Sequence, residues 1–379
     1  MTSAAQPLGL YVHVPFCEVK CTYCHFAIDP GRPAGARQDR YVAALLREIA
    51  AAPARKADTV YFGGGTPSLL RSDRLAQVLG ALRGRFPLAS DAEVTLEANP
   101  RDLDVAGYRA LAALGVNRLS LGLQSFDDAV LREMGRLHTA AEARHAFEWA
   151  RGAGFASVSI DLILGWPGES EERWRRNLEA VGELRPDHVS LYVLEVEGRT
   201  LLSHRARQGR LRLPDDDLVA DLYGETVVWL AAFGLERYEI SNFARAGHAS
   251  RHNAKYWDDA PFLGFGLSAH SYVEGRRFWN ADSFGAYCRA IEERGSALTG
   301  ERALSASERV QEALFTALRR REGVDLAAFR ARYGVDPVAE FGPRLRDAFD
   351  ARLLELAAGR LRLTEEGVLL SNEVFEAFV

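Results

Sequence analysis

The sequence predicts an α/β fold: a partial (βα)6 barrel followed by a small, mainly helical, winged-helix-like C-terminal domain. Three observations predict it. Short β-branched runs alternate with amphipathic stretches, which is the pattern of a parallel sheet with helices packed outside. Six such units occur, fewer than the eight that close a barrel. From about Ser305 the chain turns mostly helical. The expected organisation is a barrel domain over 1–245, a connecting segment packed on the barrel over 246–300, and the C-terminal domain over 301–379.

Taken in order, the strand-like runs are GLYVHVPF (9–16), TVYFGG (59–64), AEVTLEAN (92–99), NRLSLGLQS (117–125), SVSIDLILG (157–165) and HVSLYVLEV (188–196). Between them DRYVAALLREIAAA, SDRLAQVLGALRGRF, DVAGYRALAALG, AAEARHAFEWARGAG and ESEERWRRNLEAVGEL carry apolar residues at helical spacing. ERYEIS (236–241) reads as a seventh strand after the long helical stretch DDDLVADLYGETVVWLAAFG. The tail offers SASERVQEALFTALRR, DLAAFRARYG and RLRDAFDARLLELAAG before LRLTEEGVLLSNEVFEAF. Barrel chemistry sits at the C-terminal ends of the strands, and the unusual residues fall there. Cys17 follows the first strand, Gly63 to Pro67 end the second, Glu97 to Pro100 the third and Gln124 the fourth. Asp161 lies in the fifth strand, and Tyr192 to Glu195 in the sixth.

With 379 residues, 47% of them hydrophobic, the chain can bury one large core and a smaller appended one. Its 47 basic and 52 acidic residues leave a formal charge of −5, and no basic stretch alternates with aromatics, so nucleic acid is not an expected partner. No window approaches the roughly 20 apolar residues of a spanning helix, and the N-terminus lacks a signal-like charge and apolar run. The expected location is the cytoplasm, and the protein is not expected to be an integral membrane protein.

Three of the four cysteines, Cys17, Cys21 and Cys24, crowd into CEVKCTYCHF; Cys288 stands alone in a helical stretch. In a reducing compartment such a cluster points to metal rather than disulfides. A closed zinc site needs four ligands, and no second pair exists. A 4Fe-4S cluster held by three thiolates leaves one iron open to a small molecule. The C-x3-C-x2-C spacing is the motif of the radical S-adenosylmethionine superfamily. The sequence therefore predicts Cys17, Cys21 and Cys24 as cluster ligands with S-adenosyl-L-methionine on the fourth iron. Gly63-Gly64-Gly65-Thr66-Pro67, one βα unit later, supplies bare backbone that such a molecule can approach closely. Glu97 can accept hydrogen bonds from a ribose or an ammonium. Gln124, Arg136 and Asp161 are single polar residues at or just beyond strand ends, each fitting a structural role as well as a binding one. Arg136 can hold a carboxylate by a bidentate pair, and Asp161 needs a partner if buried in so apolar a strand.

Together the segments YVHVPFCEVKCTYCHF, YFGGGTP, LEANPRDL, LSLGLQSF, SIDLILGWPG and RYEISNFA resemble the oxygen-independent coproporphyrinogen III oxidases and their close relatives, over nearly the whole chain. The resemblance implies that Tyr11, Gly64 and Glu97 contact S-adenosylmethionine. It also implies that Tyr23, Gly65, Thr66, Gln124, Arg136, Asp161 and Val193 match positions around a second such molecule in the oxidases.

Two branches of that family differ at the opening motif. The oxidases are similar to C-x3-C-x2-C-x-C with a longer N-terminal arm; here the fourth cysteine position is Phe26, and sixteen residues precede Cys17. The haem-chaperone (HemW-like) branch has the shorter motif and an H-N-x-x-Y-W segment, present as His252-Asn253-Ala254-Lys255-Tyr256-Trp257. The resemblance makes His252 the leading candidate to ligate haem iron, with a loop-capping role as the plain alternative. His270 is a weaker candidate; His13 and His25 read as local. The expectation is a haem carrier, with no catalytic residue assigned, that hands haem to acceptor proteins such as membrane-bound respiratory enzymes, with room for a homodimer. The alternative is an oxidase of porphyrin biosynthesis that uses the same cofactor-binding residues.

Overall fold

The computed structural model describes residues 6–378 except 32, 34, 197 and 199. Six parallel strands form the heart of the fold: β1 (Leu8–Val14), β2 (Ala57–Gly64), β3 (Leu88–Ala98), β4 (Arg118–Gln124), β5 (Ser157–Leu164) and β6 (His188–Val193). They are hydrogen-bonded in that order, with a helix between successive strands. The partial (βα)6 barrel is thus present. β1 and β4 are buried almost throughout, because helices cover the outer face and the barrel interior lies on the other.

The sheet runs further than six strands. On the far side of β6 lie the antiparallel β8 (Asn242–Ala244) and β7 (Glu236–Arg237); only the first two residues of ERYEIS are strand, and β8 follows it. Beyond β1 lies β9 (Phe262–Phe265), parallel to it, followed by the antiparallel meander β10 (His270–Val273), β11 (Arg276–Asn280) and β12 (Leu298–Ala303). Among the described residues this makes one sheet of 12 strands. The stretch after 245 is therefore more than a connector packed on the barrel, since its strands continue the barrel's own sheet. Gly266 shows how tightly that extension docks. Its φ of +98° suits glycine, and a Cβ there would meet the Tyr41 hydroxyl at 2.4 Å and the His13 carbonyl at 2.7 Å.

The C-terminal region is mainly helical, with Ala306–Leu318, Leu326–Tyr333 and Pro337–Asp350 as its larger helices. A hairpin of Leu354–Ala357 and Arg360–Leu363 supplies the wing, its second strand also pairing with Val324–Asp325. This region is clasped to the sheet by Asp259, which is nearly buried. Asp259 accepts hydrogen bonds from Arg332 Nη2 at 2.9 Å, Arg309 Nη2 at 3.1 Å, the Tyr333 hydroxyl at 2.7 Å and the Tyr272 hydroxyl. Three of these four donors lie in the C-terminal region. No helix among the described residues is long and apolar enough to cross a membrane.

Asp259→Ala leaves two guanidiniums and two hydroxyls without their shared acceptor. The expected cost is about 2 to 3 kcal/mol in urea denaturation, with faster proteolytic release of the C-terminal region. An unchanged midpoint and cleavage pattern would show that the clasp is not structural.

Candidate functional site

The cysteine loop is tied down at both ends. Phe16–Cys17 pairs in parallel with Asp29–Pro30, so the loop leaves and returns at one place. Inside it the Cys24 amide donates to the Cys21 carbonyl at 3.2 Å, a tight turn that holds these two thiols near each other. Two neighbours fix its outer side: the Thr22 amide donates to the Met134 carbonyl, and the Leu202 amide to the Thr22 carbonyl, each at 2.9 Å. The His13 Nε2 lies 2.8 Å from the Ala27 carbonyl, joining the loop's far limb to β1. Burial lowers the His13 imidazole to about 4, so it sits there neutral. Burial raises the Cys17 thiol to about 11 and raises Cys24 too, which keeps both protonated until something positive replaces the proton.

Beside the loop, the glycine run at the end of β2 forms a cradle. Gly64 has φ +108°, and its amide donates to Glu97 Oε2 at 3.2 Å. A Cβ on Gly65 would lie 2.7 Å from the Pro15 carbonyl, and one on Gly63 would lie 3.1 Å from Glu97 Oε1. Thr66 follows, its hydroxyl 3.4 Å from Cys17 Sγ and accepting from Asn99 Nδ2 at 3.1 Å. What this run approaches closely is the protein's own backbone after the first strand, where a side chain would not fit.

Glu97 forms the floor. Its Oε1 accepts from the Tyr61 hydroxyl at 2.7 Å, and Tyr61 lies between the Tyr11 ring at 6.2 Å and the His252 ring at 5.1 Å. Burial, with the charge of Asp161 added, raises Glu97 to about 7. Burial likewise raises Asp161 to about 6, although its Oδ1 accepts from the Ser120 hydroxyl at 3.0 Å and Ser190 assists. Two carboxyls close enough to feel each other in a cleft of this kind are a common mark of a binding or reaction site.

Arg136 joins the loop to the strand ends. The preceding helix, Asp128–Met134, stops at Gly135 in the left-handed region, and Arg136 turns back beneath the cysteines. Its Nη1 lies 3.5 Å from Cys21 Sγ, while Nη2 donates to the Gly122 carbonyl at 2.6 Å and to Asn99. A Cβ on Gly122 would meet Gln124, Asn99 and Arg136 together, all between 3.1 and 3.4 Å. Gln124 has φ +69°, a strained setting for a side chain, and its Oε1 has no hydrogen-bond partner. Arg136 Nε is buried without one as well.

The structure thus brings together Cys17, Cys21, Cys24, Tyr11, Gly64, Gly65, Thr66, Glu97, Gln124, Arg136 and Asp161. Tyr23 flanks them, packed edge-on against Trp166 at 6.0 Å. Val193 lies at the rim, 45% exposed, beside an exposed Tyr192. His252 lies on the far side of Tyr61 from Glu97, its ring 6.5 Å from the Tyr11 ring. It is 1% exposed inside the barrel, below Tyr61, in the helix Arg251–Trp257. Its Nδ1 is 2.8 Å from the Thr59 hydroxyl and its Nε2 3.0 Å from the Tyr256 hydroxyl, so both ring nitrogens are engaged. His270 is exposed and stacked on Trp279. Sequence reasoning singled out neither Tyr61 nor Ser120, and took in Asn99 only within the strand-end run Glu97 to Pro100. The period-two alternation that puts Thr59, Tyr61 and Gly63 on one face of β2 was the available signal for Tyr61.

The residues fit the expected groups. Three soft thiolates suit an iron-sulfur cluster, and the unpartnered Gln124 and Arg136 atoms beside a glycine cradle and a buried carboxyl suit a small polar ligand with amino and carboxylate groups. Among the described residues, no three or more His, Cys, Asp or Glu side chains gather so as to hold a single metal ion, as the ligands of a closed zinc site would.

Comparison with known proteins agrees with this geometry. Residues 11–181 match the Radical SAM superfamily, and 304–370 match the HemN C-terminal domain. The chain is 36% identical to "Heme chaperone HemW" of Lactococcus lactis, over 99% of this chain and 98% of that one. It is 38% identical to "Heme chaperone HemW" of Mycobacterium tuberculosis, over 97% and 94%. Among solved structures, coproporphyrinogen III oxidase (HemN) from Escherichia coli superposes with a TM-score of 0.86 at 26% identity, over 99% of this chain and 90% of that one.

The Glu97 carboxyl keeps its proton to about pH 7 in the folded chain, against an ordinary value of 4.5. Between those limits the unfolded chain gives up the proton first, so stability falls as pH rises from about 4.5 to 7 and levels off above. Glu97→Gln is expected to remove this loss, gaining about 2 to 3 kcal/mol on the wild type between pH 4.5 and pH 8 in urea denaturation. Parallel pH profiles for the two proteins would contradict the assignment.

Proposed function

Because the chain belongs to the heme chaperone HemW family, within the radical SAM superfamily, we propose that it is a cytoplasmic haem carrier that binds haem and passes it to an acceptor protein. Cys17, Cys21 and Cys24 hold a 4Fe-4S cluster with an exchangeable S-adenosylmethionine. The observation that carries this reading is Phe26. It stands where the oxidases are expected to have a further cysteine, and it is 57% exposed at the edge of the cysteine loop. A large apolar side chain held in water there suits a flat apolar cargo or a docking partner better than a further metal ligand.

When bound, the cluster supplies an open iron coordination position and a redox centre. The chain's own residues do the rest of the work. Arg136 places positive charge against Cys21, offsetting the thiolate charge that cluster binding requires. The Gly63–Gly65 backbone and Glu97 offer acceptors to an amino or ribose group, while Gln124 and Arg136 offer polar atoms left without internal partners. Thr66 and Asn99 link the loop to the strand ends. Tyr23 and Val193 line the outer wall. Acceptors include membrane-bound haem enzymes.

The likeness in fold to a coproporphyrinogen III oxidase favours a second reading, in which the same pocket serves porphyrinogen oxidation. One experiment separates the two. After anaerobic reconstitution the protein is titrated with haem and, in parallel, assayed for coproporphyrinogen conversion with S-adenosylmethionine and a reductant. Stoichiometric haem uptake without turnover is expected; efficient turnover would reject the carrier reading. Replacing any one of Cys17, Cys21 or Cys24 by Ala is expected to abolish the brown charge-transfer absorption.

An axial role for His252 would require it to give up its bond to Thr59 or to Tyr256. His252→Ala is therefore expected to lower stability by about 2 kcal/mol while leaving the haem spectrum unchanged. A shifted Soret band with weakened haem affinity and unaltered stability would instead make His252 the ligand.

A further inference from the structure

At the corner where the C-terminal region meets the sheet, one charged side chain is left without hydrogen bonds. Arg319 ends the helix Ala306–Leu318, where its carbonyl accepts from the Ile240 amide at 3.1 Å and the neighbouring Arg320 bridges to Glu239. Among the described residues the Arg319 guanidinium makes no hydrogen bond, and its Nε is buried. What it has are two aromatic faces: Trp257 at 4.6 Å and Phe375 at 5.9 Å. A largely buried guanidinium without an acceptor is costly, and ring faces recover only part of that cost.

The surroundings are unsatisfied too. Glu239, 1% exposed, shares Oε1 with the Asn242 amide while Oε2 has no partner, and Asn242 Oδ1 and Trp257 Nε1 are likewise buried and unpartnered. Burial lowers Arg319 below the usual arginine range despite the opposing charges of Glu239 and Glu195. The sheet joins this corner to the cleft already described: Asn242 pairs with Ser190, which pairs in turn with Asp161, and the Leu191 amide donates to the Ser241 carbonyl at 2.7 Å.

We propose that Arg319, held against Trp257 and beside Glu239, is the anchor for a carboxylate of the bound cargo: a propionate of a haem whose ring lies toward the cleft. The guanidinium fork matches a carboxylate in a way that no other side chain does. The proposal rests on the haem-carrier reading and adds to it a polar anchor that neither the cysteine motif nor the His252 segment provides.

The test uses the full-length protein with its cluster reconstituted, titrated with haem and with haem dimethyl ester, whose propionates are capped. Wild type is expected to bind haem roughly ten- to a hundredfold more tightly than the ester, the span of a charge-assisted hydrogen bond. Arg319→Met keeps the length and the apolar packing. It is expected to bind both compounds alike, at the wild-type affinity for the ester, with unchanged iron content and unfolding midpoint. Arg319→Lys, which keeps the charge without the fork, should fall between them and decides the matter if the Met variant does not fold. A preference for haem retained in the folded Met variant, or undiminished in the Lys variant when only that one folds, would overturn the anchor alone, as would equal binding of both compounds by the wild type. Failure of the wild type to take up either would overturn the carrier reading and the anchor with it.

Discussion

The close approach of the glycine run to the first strand is the constraint on which the candidate site depends. The Gly65 amide donates to the Val14 carbonyl at 2.9 Å, and a Cβ at position 65 would lie 2.7 to 2.8 Å from backbone atoms of Pro15 and Phe16. Two βα units are thereby locked at their C-terminal ends, with no side chain between them. From that contact the rest follows geometrically. Cys17 is delivered next to Thr66, Thr66 next to Asn99, and Asn99 next to Arg136, which in turn reaches Cys21. A rigid strand-end scaffold holds a loop that would otherwise be free to spread its thiols.

The second feature is a cleft floor carrying more polarity than it satisfies. Gln124 sits strained with an unpartnered oxygen and Arg136 Nε is buried without a partner, while Glu97 and Asp161, though hydrogen-bonded, are both raised by burial. Folding alone gains nothing from this arrangement, since each buried polar group without a partner costs free energy. A ligand that brings an ammonium, hydroxyls and a carboxylate would supply the missing partners. The same reasoning extends across the paired Asp161, Ser190 and Asn242 to Arg319 and Glu239, where the C-terminal region meets the edge of the sheet.

Much of this was legible in the sequence. The six strands, the helices between them and the winged, helical tail follow from hydrophobic period and turn residues, and the polar residues at strand ends follow from where barrels place their chemistry. Glu97, Gln124 and Arg136 could be picked out because they interrupt apolar or regular runs. What the sequence hid was tertiary. β9 to β12 are short, and the docking of β9 on β1 goes with Gly266 fitting under Tyr41, which no local pattern announces. ERYEIS is a strand only at Glu236–Arg237, because Glu239 and Ile240 bond to the end of the helix Ala306–Leu318 instead of to the sheet. His252 read as a candidate haem ligand or a loop cap, and its engagement by Thr59, almost two hundred positions earlier in the chain, could not be read from HNAKYW. Arg319 carried no motif at all.

The most direct measurement is iron and sulfide content per chain for Gly65→Ala after anaerobic reconstitution, with far-UV circular dichroism as the check on the fold. If the close backbone contact sets the position of the cysteine loop, the variant keeps its secondary structure and loses most of its cluster. A variant that retains the wild-type iron and sulfide content would contradict the account, because the loop would then hold its thiols in place without the contact.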